Sequence, residues 1–294
     1  MGVGSIPDFR PARPARRVKI GGALALFCLA YLEPHRAYSG SFAVKVEPAV
    51  VRQGSYAVVT AEVRDDSGKI EVLDATFPMY RADGVLRALI PVPLATKPGR
   101  REMVVRLAGR SVRLDLVVER RAGERTQRLS SLTVDEKRAM SLKDDRVEMR
   151  AILRKTGNSA LWSGPMRQPI TGRISAVFGQ KRVYGGGATW FHSGVDFAMP
   201  KGWPIMAAAP GRVAVAGMMP SYGNTVVLDH GQTVHTVYMH MSKVLVHEGE
   251  RVDQGQVIGL VGQTGLALGP HLHFSSYITT VPVDPLEFLS RGLP

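Results

Sequence analysis

The stretch NTVVLDHGQTVHTVYMHMS, residues 224–242, decides the fold of the C-terminal half of this chain. A β-rich run at 225–229, a turn at 229–232 and a returning run ending in YMHM predict an antiparallel hairpin. Strand alternation would set Tyr238 and His240 on one face and His235 on the other, making His240 a site candidate and His235 a structural residue. Downstream, GLALGPHLHF (265–274) holds His271 and His273. Residues two apart in a strand share a face with Cα atoms about 6.6 Å apart, so one imidazole can ligate a metal while the other overhangs its open position. Upstream, WFHSGVDFAMP (190–200) places His192 and Asp196 four apart. Gly194, Val195, Phe197 and the nearby prolines favour an extended segment over a helix. In a straight strand the two Cα atoms would be about 13 Å apart, so a shared ion requires a bend near Ser193-Gly194.

Two imidazoles and one carboxylate make a three-ligand site with an open fourth position, the arrangement catalytic zinc uses. Two further histidines are left for acid–base work. No HExxH occurs, which excludes the helix-borne metalloprotease pattern.

The rest of the chain sets the context. At 294 residues, 45% hydrophobic and 21% charged, it is long enough for two domains with real cores. A net charge of +13 favours polyanionic partners, among them acidic cell-wall polymers. Nucleic acid is not expected, because no cysteine-pair zinc finger, phosphate loop or RNP-like motif accompanies the charge. Arg10, Arg13, Arg16, Arg17 and Lys19 precede an apolar run from Ile20 to Leu32. Thirteen apolar residues are short for a bilayer span but suit a secretory h-region, with a small-x-small site at Ala37-Tyr38-Ser39. Residues 1–40 are therefore read as a signal peptide or a membrane anchor. The single cysteine, Cys28, lies inside this segment, and Phe27 before it argues against lipid attachment. The exported part has no thiol for a disulfide.

Residues 41–120 alternate in short β-runs broken by DDSG, ADG, KPGR and AGR, the pattern of an Ig-like antiparallel β-sandwich. No His/Asp/Glu cluster marks a site there. Residues 121–160 are strongly charged, and Thr133 with Glu136 forms a capping box, so this segment is expected to be a helical connector about 30 Å long. Residues 161–294 form the second domain, with seven of the eight histidines.

HSGVD, YMHM and PHLHF, in this order and at these separations, resemble the signature of the M23 family of zinc metallopeptidases, the lysostaphin and LytM-like peptidoglycan endopeptidases. The FG at 178–179, PIMAAAPGRV (204–213), GNTVVLDHG (223–231) and GERVDQGQVIGLVGQTG (249–265) are similar to the family as well. The resemblance spans about residues 162–288. It implies a mainly β chain with a C-terminal antiparallel β-sheet of the LytM type. It implies Zn2+ held by His192, Asp196 and His273, with catalytic histidines at His240 and His271. Every signature position carries the residue type the chemistry needs. The expected substrate is peptidoglycan, with anionic wall polymers as further partners, the membrane engaged only through an uncleaved N-terminal segment, and the location the periplasm or cell envelope. Tyr238 is expected to stabilise the developing oxyanion, and Asn224 and the loop at 184–191 to line the groove.

Two other classes compete. VLVHEGERVDQGQVIGLVG resembles half of a biotinyl or lipoyl carrier, but Lys243, the lysine nearby, lacks the hairpin-tip context a carrier needs. The second is a non-enzymatic wall-binding activator of another hydrolase, its intact site kept closed by the N-terminal module.

Overall fold

A computed structural model describes residues 35–39, 42–123, 126–133, 136–185, 187 and 189–292. The mainly β class holds throughout. The hydrophobic run 20–32 lies outside the described residues, and the small-x-small site falls inside the first strand.

Nine strands build the N-terminal domain: β1 (His35–Ser39), β2 (Phe42–Glu47), β3 (Val50–Arg52), β4 (Tyr56–Glu62), β5 (Gly68–Val72), β6 (Ala75–Ala82), β7 (Val85–Pro91), β8 (Gly99–Leu107) and β9 (Arg110–Glu119). They pair in the order β1-β2-β4-β7-β6-β5-β8-β9-β3. Strand β6 joins the two halves, because residues 75–79 pair with β5 and residues 80–82 with β7. Alternate residues such as Val44, Val59, Ile70, Phe77, Met103 and Leu116 turn inward to a single core. The outward residues of β5, β8 and β9 cancel one another's charge, with Arg113 on Glu102 at 2.8 Å, Arg106 on Glu71 at 2.8 Å and Arg100 on Asp115 at 3.4 Å. The basic excess of the chain is thus not concentrated on this face.

The connector departs from the expected continuous helix. It begins as strand β10 (Thr126–Thr133) and only then becomes helix α1 (Glu136–Leu153). Strand β10 runs parallel to β12 (Lys181–Gly185), which is paired on its other side with β13 (Thr189–Phe191). That hairpin has a free edge whose backbone groups need partners, and β10 supplies them. Helix α1 is no free spacer either. Asp145, Met149 and Leu153, spaced i, i+4, i+8, form a buried stripe along it, while Met140 and Val147 stay exposed.

The C-terminal domain is built on one antiparallel sheet in the order β11-β14-β22-β18-β17-β16-β20. Its strands are β11 (Arg173–Ala176), β14 (Val195–Ala198), β16 (Gly211–Met219), β17 (Gly223–Asp229), β18 (Val234–Met241), β20 (Arg251–Val252) and β22 (His271–Ile278), with β23 (Val281–Val283) paired to β22. One face, carrying Phe197, Val226, Leu228, Tyr238, Leu272 and Phe274, packs into the main core. A small sheet of β15 (Pro204–Met206), β21 (Val257–Leu260) and β19 (Lys243–Val244) and helix α2 (Pro285–Arg291) belong to the same domain. The opposite face is covered over part of its area by α1, whose Met149 and Leu153 pack with Val227, Val237, Met239 and Tyr277. The remainder of that face carries the site.

The two domains are joined through α2. The Tyr56 ring stacks on Phe288 at 4.8 Å, with the Arg291 guanidinium 4.3 Å over its other face. The Tyr56 hydroxyl donates to the Gly292 carbonyl at 3.1 Å, Asp284 N–H donates to the Gly54 carbonyl at 2.8 Å, and Arg121 pairs with Asp284. This buried aromatic contact with satisfied polar groups ties the nine-stranded sheet to the main core of the C-terminal part.

Candidate functional site

His192 follows β13, and the chain bends at Gly194 before Asp196 enters β14. Gly194 is needed for the close approach: a Cβ built there would lie 2.3 Å from the Phe274 carbonyl oxygen on β22. Asp196 is the direct cross-strand partner of His273. His192 Nε2 lies 3.0 Å from Asp196 Oδ1 and 3.0 Å from His273 Nδ1, and His273 Nδ1 lies 2.9 Å from the same oxygen. Among the described residues this is the one group of three or more ligating side chains positioned to hold a metal ion, and all three are buried.

The donor set passes a direct test of fit. Tetrahedral ligands about 2.0–2.1 Å from zinc sit roughly 3.3 Å apart, a few tenths of an ångström beyond the separations here. The outer nitrogens bear on the tautomers. His192 Nδ1–H donates to the Val177 carbonyl at 2.9 Å, leaving His192 Nε2 as a lone-pair donor, and His273 Nε2 lies 2.7 Å from Ser275 Oγ, a hydroxyl able to accept its proton when Nδ1 serves as a ligand. Burial alone would raise the Asp196 carboxyl, but the imidazoles of His192 and His273 outweigh it and hold the group well below the usual carboxylate range. Burial pushes His273 down to about 4 despite the opposing carboxylate. Asp196 and His273 therefore present the deprotonated forms a cation requires.

His240 and His271 stand beside this trio, with ring centroids 4.8 Å apart and His240 6.1 Å from His273. Each donates its Nδ1–H to a backbone carbonyl, His240 to Thr264 and His271 to Gly269, both at 2.8 Å. Among the described residues neither Nε2 has a hydrogen-bond partner, that of His271 being 3.9 Å from Asp196 Oδ1. Burial, then the neighbouring imidazoles, push His240 down to about 3, so it is neutral.

The face-sharing of Tyr238 and His240 expected from strand alternation does not occur. Between Val226 and Asn224 the pairing of β17 with β18 slips by one residue, a bulge that sets Tyr238 opposite Val226 but Met241 opposite Asn224. His240 takes a left-handed conformation, φ 63°, at the extra residue. Met239 and His240 consequently both serve the site face while Tyr238 and Met241 stay in the core. Tyr238 is fully buried, its hydroxyl oxygen accepting from Ala208 N–H at 2.8 Å and lying 3.0 Å from Thr236 Oγ1. It cannot meet a substrate oxyanion. Asn224 is committed as well: its side-chain amide donates to the Met241 carbonyl at 3.1 Å and its backbone N–H to Thr264 Oγ1 at 2.9 Å. It braces the bulge and does not line the groove. His235 is buried beneath the end of α1, donating from Nε2 to the Lys155 carbonyl at 3.1 Å.

The groove over the site encloses about 220 Å³ and is lined by Asp196, His240 and His271, by Tyr184 and Arg182 of β12, and by Gln127 of β10. Two larger hollows, of about 480 and 640 Å³, lie on the sandwich and hold no ligating cluster. Among the described residues none of β1–β9 lines the groove, so the N-terminal strands do not close it here. Three supporting residues escaped the sequence reading. Arg182 pairs with Asp196, Gln127 bonds Arg182, and the buried Asp145 of α1 accepts from Ser221 N–H at 2.6 Å. The Ser221 carbonyl in turn accepts from Leu266 N–H at 2.8 Å, next to the Thr264 that holds His240. The i, i+4, i+8 stripe that includes Asp145 is the signal in the sequence by which α1 could have been docked.

With this geometry in place, comparison with known proteins identifies the domain. The match to Peptidase family M23 runs over residues 190–285. Those residues are an M23 peptidase domain. Over 96 residues, a third of this chain, the sequence is 45% identical to the peptidoglycan DD-endopeptidase ShyA of Vibrio cholerae, covering 22% of that protein. Over 116 residues it is 43% identical to the DD-carboxypeptidase/endopeptidase Mpg of Neisseria meningitidis, covering 26% of it. The chain thus spans about a quarter of the length of these curated relatives. A Pseudomonas aeruginosa crystal structure described under peptidase M23 extends the likeness of fold, with a TM-score of 0.63, 28% identity, and coverage of 81% of this chain and 93% of that one.

Proposed function

We propose that this chain is a zinc-dependent endopeptidase that hydrolyses peptide cross-links or stem peptides of peptidoglycan in the bacterial cell envelope. The observation that carries the reading is the trio of His192, Asp196 and His273 converging at 2.9–3.0 Å beside His240 and His271, which line the open groove. The relatives' names support the substrate class, ShyA being a peptidoglycan DD-endopeptidase and Mpg a DD-carboxypeptidase/endopeptidase.

Zinc bound by the trio would supply Lewis acidity, polarising the scissile carbonyl and lowering the pKa of a water toward about 7. His192, Asp196 and His273 bind and orient. The two proton movements of amide hydrolysis, removal from the attacking water and delivery to the leaving amine, fall to Nε2 of His240 and of His271. The backbone carbonyls of Thr264 and Gly269 keep those nitrogens aimed into the groove. Tyr238 lies in the core and takes no part in stabilising the oxyanion; a histidine can do so only after it has taken up the proton of the attacking water.

Export fits the substrate, with residues 1–40 serving as signal peptide or membrane anchor. Among the described residues no helix is long and apolar enough to cross a membrane. The net charge of +13 suits the anionic wall and its polymers.

The deciding experiment is digestion of purified peptidoglycan by the zinc-loaded chain lacking residues 1–32, with products resolved by mass. Release of uncrosslinked peptides that both a chelator and His271→Ala abolish supports the endopeptidase and names its bond. No release under any metal condition would overturn it in favour of a wall-binding role.

A further inference from the structure

A carboxylate has two equivalent oxygens, and nothing in the trio itself determines which faces the ligand centre or whether both do. The second oxygen of Asp196 is occupied. Oδ1 meets His192 and His273, whereas Oδ2 is ion-paired with the guanidinium of Arg182, a side chain only 15% exposed. Arg182 is held from behind in turn, its Nε–H donating to Gln127 Oε1 at 3.2 Å. The two are register partners across the parallel β10–β12 pair. Both lie before the matched residues 190–285, and Gln127 belongs to the connector.

We infer that Arg182 is a positioning residue that fixes Asp196 as a one-oxygen ligand, and that Gln127 fixes Arg182, so that metal affinity depends on the connector strand. The inference rests on reading His192, Asp196 and His273 as metal ligands. A guanidinium suits this task because its planar fork serves Asp196 and Gln127 at once, which a lysine ammonium, a mobile point charge, does less well. Two opposing effects follow from removing it. A cation next to a metal site repels the incoming metal, so its loss would tighten binding. Loss of the outer hydrogen bond frees the carboxylate to rotate, which costs affinity, typically about 10–100-fold for such supporting groups. The fixed arrangement on both sides of Arg182 makes the second effect the larger.

The test uses the full chain and Zn2+ itself, with dissociation constants from competition against a chromophoric chelator and the d–d spectrum of the Co2+ form as a report on ligand geometry. Arg182→Met should bind zinc about 10–100-fold more weakly and alter the Co2+ spectrum, Arg182→Lys should recover part of the loss, and Gln127→Leu, which changes no charge, should lose about tenfold. Equal or tighter binding by Arg182→Met overturns the inference. His192→Ala separates this failure from that of the underlying reading: if it binds zinc like the native chain, the ligand assignment is wrong, whereas if it loses zinc while Arg182→Met does not, only the role of Arg182 falls. If near-UV circular dichroism shows that Arg182→Met has not folded, Gln127→Leu decides, and an unchanged affinity there is the refuting result.

Discussion

Replacing Gly194 by alanine tests whether the spacing of two strands controls the metal site. A Cβ at this position would lie 2.3 Å from the Phe274 carbonyl oxygen, 2.5 Å from Ser275 Oγ and 2.8 Å from His273 Nε2, where ordinary contact begins at 3.4 Å. The nearest neighbour is backbone, so relief requires β14 and β22 to part locally by about 1 Å, the difference between 2.3 and 3.4 Å. These strands carry Asp196 and His273 directly opposite each other. A functional constellation tolerates only about 0.5 Å of displacement, so the ligand geometry is broken even if the fold survives. Overpacking of this kind costs about 1–3 kcal/mol of stability, and zinc affinity should fall by about tenfold or more. The control is Gly217→Ala in β16, where an added Cβ meets nothing within 4 Å and stability should change by less than about 0.5 kcal/mol. Urea unfolding of the metal-free proteins and zinc competition read out both quantities. A Gly194→Ala protein indistinguishable from Gly217→Ala in both would refute the claim that strand spacing sets the site.

Three further outcomes are expected. His240→Ala and His271→Ala should retain zinc and lose turnover by about 10²–10⁴, whereas His192→Ala should lose both, which metal analysis alongside peptidoglycan digestion resolves. Tyr238→Phe should leave turnover unchanged and cost about 1–3 kcal/mol, because Ala208 N–H loses its acceptor; a tenfold drop in activity at full zinc occupancy would contradict its placement in the core. Acid should weaken the fold through His230, which burial pushes down to about 4 from an unfolded value near 6.5. The unfolded chain binds the extra proton between those values, so stability is full above pH 6.5 and declines by about 3 kcal/mol as pH falls through the window; His230→Gln should flatten part of that slope in urea titrations at pH 4 to 7.

Much of the site was legible before any coordinates because strand parity is local. His271 and His273 two apart on β22 face the same way, and Gly194 between His192 and Asp196 announces the bend that brings them to β22. Tyr238 was misplaced by the same rule. Parity holds only while the ladder is regular, and the extra residue at His240 reverses it without a glycine or proline to mark the spot. Arg182 and Gln127 were invisible for a different reason: a parallel pairing across more than 50 residues leaves no short-range spacing to read. The connector's charge suggested a solvated helix, and only the 145, 149, 153 spacing hinted that it lies against the sheet.

The bulge in β18 also bears on how such domains can lose activity. One inserted residue, and not any particular side chain, turns His240 toward the groove. Deleting Met241 would restore the regular register between β17 and β18 and carry the His240 imidazole to the face of Tyr238, into the hydrophobic layer and away from the groove. The reach of His240 to the groove is recorded partly as an arithmetic property of strand length, and a one-codon deletion would be enough to withdraw it from a chain that still carries every histidine.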